Sequence, residues 1–371
     1  MVHSPSILMM IGAFFLVLGP LVVLHELGHY LVARLFGVRA DAFSIGFGKE
    51  MLGWTDKRGT RWKLSALPLG GYVQFAGDMN PASVPDPAFA KASGEELKGV
   101  FQAAPLWQRA LIVLAGPLMN LFVAVAIFAA FNMAYGRPVA PPVIEGFAET
   151  SAAQAAGLKL GDRIIAIDGN AIASFGDVAQ HVAIYPGRII TIVAQRGDQM
   201  LTVLVRVASD IQQDQFGNEA RRGLIGVRSP NLVWERLGPI DAAGLGFKQS
   251  IGIVRMMVTG ISQIFTGERS VKELGGPIKI AKFSGEQFAL GWSEFVYFAA
   301  LISINLAFIN LLPIPALDGG HLAFYAAEAV RRKPIGARGQ EWAFRTGFAF
   351  VLALMLFVTL NDLASLPLFG R

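Results

Sequence analysis

The sequence predicts a polytopic α-helical membrane protein with four transmembrane helices, a membrane-associated β element and one soluble, extracytoplasmic domain. Of the 371 residues, 53% are hydrophobic and only 16% are charged, which is typical of integral membrane proteins. Four apolar runs are long enough to cross a hydrocarbon core of about 30 Å. Between the second and third runs the composition becomes that of a soluble β-rich domain.

These patterns divide the chain into eight segments. In order, they are a first transmembrane helix (1–36), a cytoplasmic-side β element and loop (37–108), a second transmembrane helix (109–136), the soluble domain (137–230), a linker with amphipathic helices (231–292), a third transmembrane helix (293–318), a cytoplasmic loop (319–341), and a fourth transmembrane helix with a tail (342–371). We expect the first run to be a membrane helix rather than a cleaved signal peptide, because it lacks a positively charged start and an A-x-A site.

The first apolar run contains an H-E-x-x-H pattern formed by His25, Glu26 and His29. On a helix the two histidines lie one turn apart on the same face, so both imidazoles can reach one metal ion, with Glu26 beside its open position. Chance spacing on an ordinary helix is the alternative. Ionisable side chains inside a membrane are costly, at roughly 2.5 to 3.5 kcal/mol for Asp, Lys or Arg at the helix centre, and usually mark function. The context therefore favours a metal site.

A third metal ligand is predicted at the end of the third apolar run. There the sequence N-L-L-P-I-P-A-L-D-G-G-H, residues 310–321, interrupts the helix pattern. Irregular backbone at membrane depth is tolerated where it is buried in protein or lines a wet cavity, so Asp318 is a ligand candidate. The chain has no cysteine, so a zinc ion would be held by nitrogen and oxygen atoms. We expect His321 to support the ligands rather than bind the metal.

The distribution of charge predicts the orientation in the membrane. The segments 37–109 and 319–341 are rich in Lys and Arg, which indicates the cytoplasmic side. Both termini and the soluble domain would then lie outside, and the H-E-x-x-H motif and Asp318 would lie on the same cytoplasmic side. The net charge of +5 contains no long basic block, and there is no nucleic-acid motif, so we expect no nucleic-acid partner.

The soluble domain begins with a recognisable motif. Residues 151–169, S-A-A-Q-A-A-G-L-K-L-G-D-R-I-I-A-I-D-G, are similar to bacterial PDZ domains, whose sheet edge accepts an extended peptide. This resemblance implies one PDZ domain over residues 137–230. Its peptide-binding loop would consist of Gly223, Leu224, Ile225 and Gly226. The alternative is that the two glycines only shape a turn.

Four features together resemble the site-2 protease family of intramembrane zinc metalloproteases: H-E-L-G-H, A-G-P-L-M-N at residues 115–120, the PDZ-like domain, and the L-D-G-G stretch. The match covers nearly the whole chain. It is most similar to the bacterial branch that cuts a membrane-spanning anti-sigma factor after a first protease has removed the outer part. This chain has one PDZ-like domain, whereas the best-known members carry two. How access of the substrate is controlled is therefore an open question.

The resemblance implies that His25, His29 and Asp318 ligate Zn²⁺ and that Glu26 is the general base. It also implies that Asn310 holds the substrate backbone or the developing oxyanion, with a packing amide as the alternative. The partners would be the lipid bilayer and a single-pass transmembrane substrate resembling an anti-sigma factor. Remnant signal peptides or pheromone precursors are alternative substrates, and a non-catalytic PDZ scaffold is the alternative from another class of protein.

A transmembrane substrate must unwind before it can be cut, because a helix hides its peptide bonds. Paired glycines beside a strand allow another backbone to approach closely, and an edge of the β element could pair with the unwound segment. A plain packing hairpin is the alternative. The candidate edge consists of Pro68, Leu69, Gly70, Gly71, Tyr72 and Val73.

Overall fold

The helices and strands follow the predicted alternation of apolar runs and a β-rich domain. A computed structural model describes residues 5–78, 97–183, 185–213, 219–266, 275–333 and 337–364. Its helices are α1 (Ile7–Leu35), α2 (Leu106–Tyr135), α3 (Ala152–Ala155), α4 (Phe175–Ala183), α5 (Pro239–Phe265), α6 (Pro277–Leu290), α7 (Trp292–Asn310), α8 (Asp318–Arg331) and α9 (Ala337–Ala364).

The strands form one long hairpin and a separate set of shorter strands. They are β1 (Ala40–Thr55), β2 (Arg61–Phe75), β3 (Arg137–Val139), β4 (Gly146–Phe147), β5 (Arg163–Ile167), β6 (Asn170–Ala171), β7 (Ile189–Arg196), β8 (Gln199–Arg206), β9 (Ala208–Gln213), β10 (Glu219–Leu224), β11 (Val227–Arg228) and β12 (Val233–Glu235). The chain divides into two units: a helical unit of Met1–Ala129 with Ala243–Arg371, and a β-rich unit of Ala130–Ala242.

The helical unit contains the apolar spans. Within the described ranges, four helices are long and apolar enough to cross a membrane: α1, α2, α7 and the part of α9 from Glu341 to Leu363. The prediction of four apolar spans is confirmed. Buried residues of α1 pack against α7, and buried residues of α2 pack against another face of α7. Most of the remaining apolar surface of α1 and α9 is not covered by any of the described residues, as expected of helices that face lipid.

The hairpin of β1 and β2 replaces the several short strands that the sequence predicted. Its pairing places four strand segments side by side in the order 50–55, 61–65, 42–45 and 71–75. Among the described residues, the segment 71–75 pairs on one side only, and it is therefore a sheet edge. Phe43 and Val73 are buried in a core with Tyr30 of α1 and Ile112 of α2. This core holds the edge segment against α1.

The prediction of a loop over residues 319–341 is wrong at its start, because residues 318–331 form the helix α8. Likewise, the third span ends at Asn310, and turns rather than helix fill residues 311–317. Two adjacent glycines lower helix propensity, which concealed α8 in the sequence. A Cβ on Gly319 would overlap the carbonyl oxygens of Leu311 and Leu312. The glycines are therefore needed where α8 begins directly against the preceding turns.

The β-rich unit has its own core. Strands β6, β5, β7 and β8 form an antiparallel sheet in that order, and buried aliphatic residues of β5, β7 and α4 pack together. Asp162 has a fully buried side chain and accepts hydrogen bonds from Arg196 at 2.7 and 2.8 Å. The Arg196 guanidinium lowers the pKa of Asp162. The unit extends beyond the predicted limit of residue 230, because β12 pairs with β3.

Candidate metal centre

Three side chains from distant parts of the chain converge inside the helical unit. His25 and His29 share one face of α1, and both residues are buried. Their Nε2 atoms lie 3.2 Å apart. Asp318, the first residue of α8, places Oδ2 at 3.2 Å from His25 Nε2 and at 3.5 Å from His29 Nε2. These three residues could therefore hold one metal ion.

The donor set fits zinc. Two ligand atoms that each lie about 2.0 to 2.2 Å from a tetrahedral zinc ion are separated by about 3.3 Å, close to the observed separations. Asp318 Oδ2 is buried and has no hydrogen-bond partner among the described residues. Three nitrogen and oxygen ligands with a fourth position open are the pattern of catalytic zinc sites.

Helix α2 orients both imidazoles. His29 Nδ1 lies 2.8 Å from the carbonyl oxygen of Ile112, and since a carbonyl only accepts, His29 donates and its Nε2 keeps a free lone pair. His25 Nδ1 lies 3.3 Å from Nδ2 of Asn120, a completely buried residue whose Oδ1 has no partner among the described residues. The two ends of an amide are assigned from the hydrogen-bond network. Exchange of these two ends turns Oδ1 towards His25 Nδ1, which then donates, and the neutral His25 ring presents a free Nε2, as metal binding requires.

A glycine on α2 makes room for this arrangement. A Cβ on Gly116 would overlap His29 Nε2 and would lie 2.9 Å from His25 Cε1. The H-E-x-x-H motif gave no sign of Ile112 or Gly116. Asn120 enters the sequence analysis only as the last residue of the A-G-P-L-M-N stretch, where an amide in an apolar helix needs a polar partner.

Glu26 lies between the three candidate metal ligands and the sheet edge. The Glu26 carboxylate lies against the backbone amide of Val73 in β2, and a Cβ on Gly71 would lie 3.3 Å from Glu26 Cγ. The Val73 amide therefore points away from β1. Since successive amides in a strand alternate in direction, the amide of Gly71 points to the same free edge.

Comparison with known proteins identifies the family of the chain. The model of peptidase family M50 matches residues 13–354. The chain belongs to peptidase family M50. A protein of Agrobacterium fabrum with the provisional name zinc metalloprotease is 45% identical over 358 residues, with 95% of each chain covered. The metalloprotease MmpA of Caulobacter vibrioides is 34% identical over 381 residues, with 96% of each chain covered. The predicted site-2 protease family is confirmed.

One solved structure matches part of this M50 peptidase. It is the PDZ domain of an SdrC-like protein from Listeria monocytogenes, 22% identical, which covers 25% of this chain and 88% of that chain with a TM-score of 0.19.

The predicted PDZ loop lines a groove in the β-rich unit. Gly223, Leu224, Ile225 and Gly226 form one wall, and residues of α4 that include Phe175 and Ala179 form the other. The groove has a volume of about 330 Å³. A Cβ on Gly223 would overlap the carbonyl oxygen of Val182, so this glycine is needed for close packing of β10 on α4. Binding of a peptide there stays a prediction.

Two other residues that the sequence predicted for the site, Asn310 and His321, lie outside the group that could hold a metal. Asn310 is the last residue of α7, and among the described contacts no hydrogen bond joins its amide to the three metal-binding residues. Its role stays a prediction. His321 packs against Phe344, with 4.6 Å between ring centroids. Burial lowers the pKa of His321 to about 4, so the ring is neutral at pH 7. It is absent from the group that could hold a metal.

The predicted edge residues 68–73 are only partly described. The side chains of Pro68 and Leu69 lie outside the described residues. Gly70 has φ of +118°, a conformation that favours glycine. The Tyr72 ring stacks on Phe47 with centroids 5.8 Å apart, and Val73 is buried. Gly71 to Val73 are therefore the part of the predicted edge that reaches the M50 site.

Proposed function

We propose that this protein is an intramembrane zinc metalloendopeptidase that hydrolyses a peptide bond within or near the transmembrane segment of a single-pass membrane protein. The observation that carries the proposal is the convergence of His25, His29 and Asp318 beside Glu26, on a helix apolar enough to cross a membrane. The proposed substrate class is a pre-cleaved anti-sigma factor. Remnant signal peptides or pheromone precursors would require the same chemistry.

The residues of the site have separate tasks in this proposal. His25 and His29 present Nε2, and Asp318 presents Oδ2, to a zinc ion that, when bound, polarises a carbonyl group and acidifies water. The Glu26 carboxylate takes a proton from the attacking water and returns it to the nitrogen of the leaving amine. Asn120 and the Ile112 carbonyl keep the two imidazoles in the tautomer that binds metal.

Removal of the metal tests the proposal. The full chain is reconstituted in lipid vesicles with a single-pass transmembrane substrate, and products are identified by mass spectrometry. We expect cleavage within or near the apolar segment, complete loss of cleavage after dialysis against a chelator, and recovery with about one equivalent of zinc. Cleavage that continues in the metal-free protein would contradict the proposal, and zinc binding without any cleavage would favour the scaffold alternative.

The sheet edge gives the substrate a place to unwind. Gly71 and Val73 face Glu26 at an edge that is unpaired among the described residues. An extended substrate segment that added to this edge would replace its helical hydrogen bonds by strand hydrogen bonds. It would also lie beside the proposed general base. We therefore propose residues 71–73 as the strand that holds the scissile segment.

A proline at the sheet edge tests this role. Gly71→Pro removes the N–H that faces the free edge, and proline is tolerated at sheet edges. We expect cleavage to slow by about tenfold or more, the effect of losing one or two hydrogen bonds, with unchanged zinc content. The control is Gly71→Ala, which adds the same Cβ, 2.8 Å from the Ser44 carbonyl oxygen, but keeps the N–H, and we expect it to cut faster than Gly71→Pro. Unchanged cleavage in Gly71→Pro would exclude strand addition.

The β-rich unit has two candidate roles. Its groove binds the new C-terminus left by a first cut, or the unit as a whole excludes substrates with bulky outer domains. Ala179→Trp fills the groove from α4, and Gln180→Trp places the same ring on the exposed face of that helix. If the groove binds the new terminus, only Ala179→Trp lowers cleavage of clipped substrates. If the unit is a filter, both variants cleave normally, and deletion of residues 140–232 releases cleavage of intact substrates.

We propose that the protein lies in the bacterial cytoplasmic membrane. Its metal centre would face the cytoplasm, and the β-rich unit and both termini would lie outside. The basic residues of segments 37–109 and 319–341 support this orientation. Segment 37–109 follows the end of α1 that carries His29. Segment 319–341 follows Asp318, which comes after the end of α7. A substrate cut at this depth would release its cytoplasmic part.

A further inference from the structure

The position of Asp318 requires that α8 be held at its far end as well as at its start. The residues that connect α8 to α7 do not form a helix. Ala316 within them has φ of +84°, a conformation that residues other than glycine rarely adopt. Because this connection is a series of turns, it does not continue the axis of α7 into α8. Contacts further along α8 must therefore fix its rotation and its distance from α1.

Such contacts join α8 to the beginning of α2. Arg109 Nη2 lies 2.9 Å from Glu328 Oε1, and the two side chains are only 12% and 17% exposed. The Arg109 guanidinium carbon lies 5.1 Å from the centre of the Tyr325 ring. Tyr325 is itself buried in the core that contains Tyr30 and Ile112. One arginine of α2 therefore contacts two residues on successive turns of α8.

The same part of α2 also orients a metal-binding histidine. Ile112, whose carbonyl accepts from His29, follows Arg109 by three residues, which is nearly one helical turn. Tyr325 follows Asp318 by seven residues, which is two turns, so the two side chains share a face of α8. The first two turns of α2 thus contact both α1, which carries the two histidines, and α8, which carries Asp318.

We propose that Arg109, Glu328 and Tyr325 form a positioning cluster, which holds α8 against α2 and thereby fixes Asp318 as the third metal ligand. A largely buried ion pair contributes little net stability, because desolvation offsets the attraction, but it specifies one arrangement of the elements that carry it. In this role Arg109 acts on the metal site through α8 and does not touch substrate. The inference rests on the proposed zinc site.

The test measures zinc binding in the full chain, by competition with a chromophoric chelator in detergent micelles, for Arg109→Met and Glu328→Gln. We expect each to weaken zinc affinity by roughly 10- to 100-fold, the range found when groups outside the ligand set are removed. We also expect a lower kcat with little change in KM, because the metal site and not the substrate-binding surface is displaced.

Two further variants separate positioning from general stability. The double variant Arg109→Glu with Glu328→Arg restores the pair with reversed charges, and we expect it to recover zinc affinity relative to either single variant. The matched control is Arg345→Met, which removes an ion pair with Glu341 whose side chains are 69% and 49% exposed. We expect it to bind zinc as the parent protein does.

Unchanged zinc affinity in both single variants would overturn the inference. So would a loss that the reversed pair fails to recover, since that result would indicate a general packing role. Either failure leaves the proposed function intact as long as the parent protein binds zinc and cuts its substrate. Failure of the proposed function would instead appear in the parent protein, as cleavage that survives removal of zinc.

Discussion

Glu26→Gln should reduce cleavage of a transmembrane substrate by about 10² to 10⁴-fold, the usual contribution of a general base, while zinc remains bound. Glutamine has nearly the shape of glutamate but cannot accept the proton of the attacking water. The three groups that could hold the metal are His25, His29 and Asp318, and none of them changes. The Val73 amide still finds an oxygen acceptor in the glutamine side chain.

The measurement for Glu26→Gln combines a cleavage rate in vesicles with zinc content by atomic absorption. Glu286→Gln is the matched control, because Glu286 lies on α6 in an i,i+4 pair with the half-exposed Lys282, away from the metal centre. We expect the control to cut at the parent rate. A parent rate in Glu26→Gln with zinc bound would refute the protease assignment, and the substrate that accumulates uncut in this variant would identify the natural partner.

Gly116→Ala should abolish stable zinc binding, although Gly116 is not a ligand. The new Cβ would overlap His29 Nε2 and lie 2.5 Å from His29 Cε1 and 2.9 Å from His25 Cε1. Both imidazoles are buried and held by α2, so they cannot turn away without losing those hydrogen bonds. Either α2 or the two imidazoles would have to shift. A displacement of about 1 Å in a catalytic site is enough to lower the rate of catalysis by about 10²-fold.

Zinc affinity of the purified full chain checks this prediction, with cleavage rate as the second measurement. Gly19→Ala is the matched control, because Gly19 lies in α1 and a Cβ there would have no neighbour within 4 Å. Alanine also raises helix propensity at both positions by about 1 kcal/mol, so a difference between the variants reports the space at the metal site. Normal zinc affinity in Gly116→Ala would contradict the described packing of α2 on α1.

The spans and one half of the metal centre could be predicted from the sequence because they depend on short-range regularities. A helix repeats every 3.6 residues, so the spacing of His25 and His29 alone puts both imidazoles on one face. Hydrocarbon admits few polar groups, so runs of apolar residues predicted the spans and made the motif conspicuous. The family motifs then pointed to Asp318. Helix α8 was missed because its first turn contains two glycines, and local propensity does not include the packing that requires them.

The sequence by itself determined which residues have the chemistry for a zinc site, because residue type and helical spacing are local properties. Only the tertiary structure decided how that site is assembled. Asp318 of α8 lies within 3.5 Å of Nε2 of both histidines, Asn120 and Ile112 of α2 contact their Nδ1 atoms, and Gly116 of the same helix leaves the space. These contacts join residues far apart in the chain, and no local pattern encodes which helices will touch, since that depends on packing of the whole bundle.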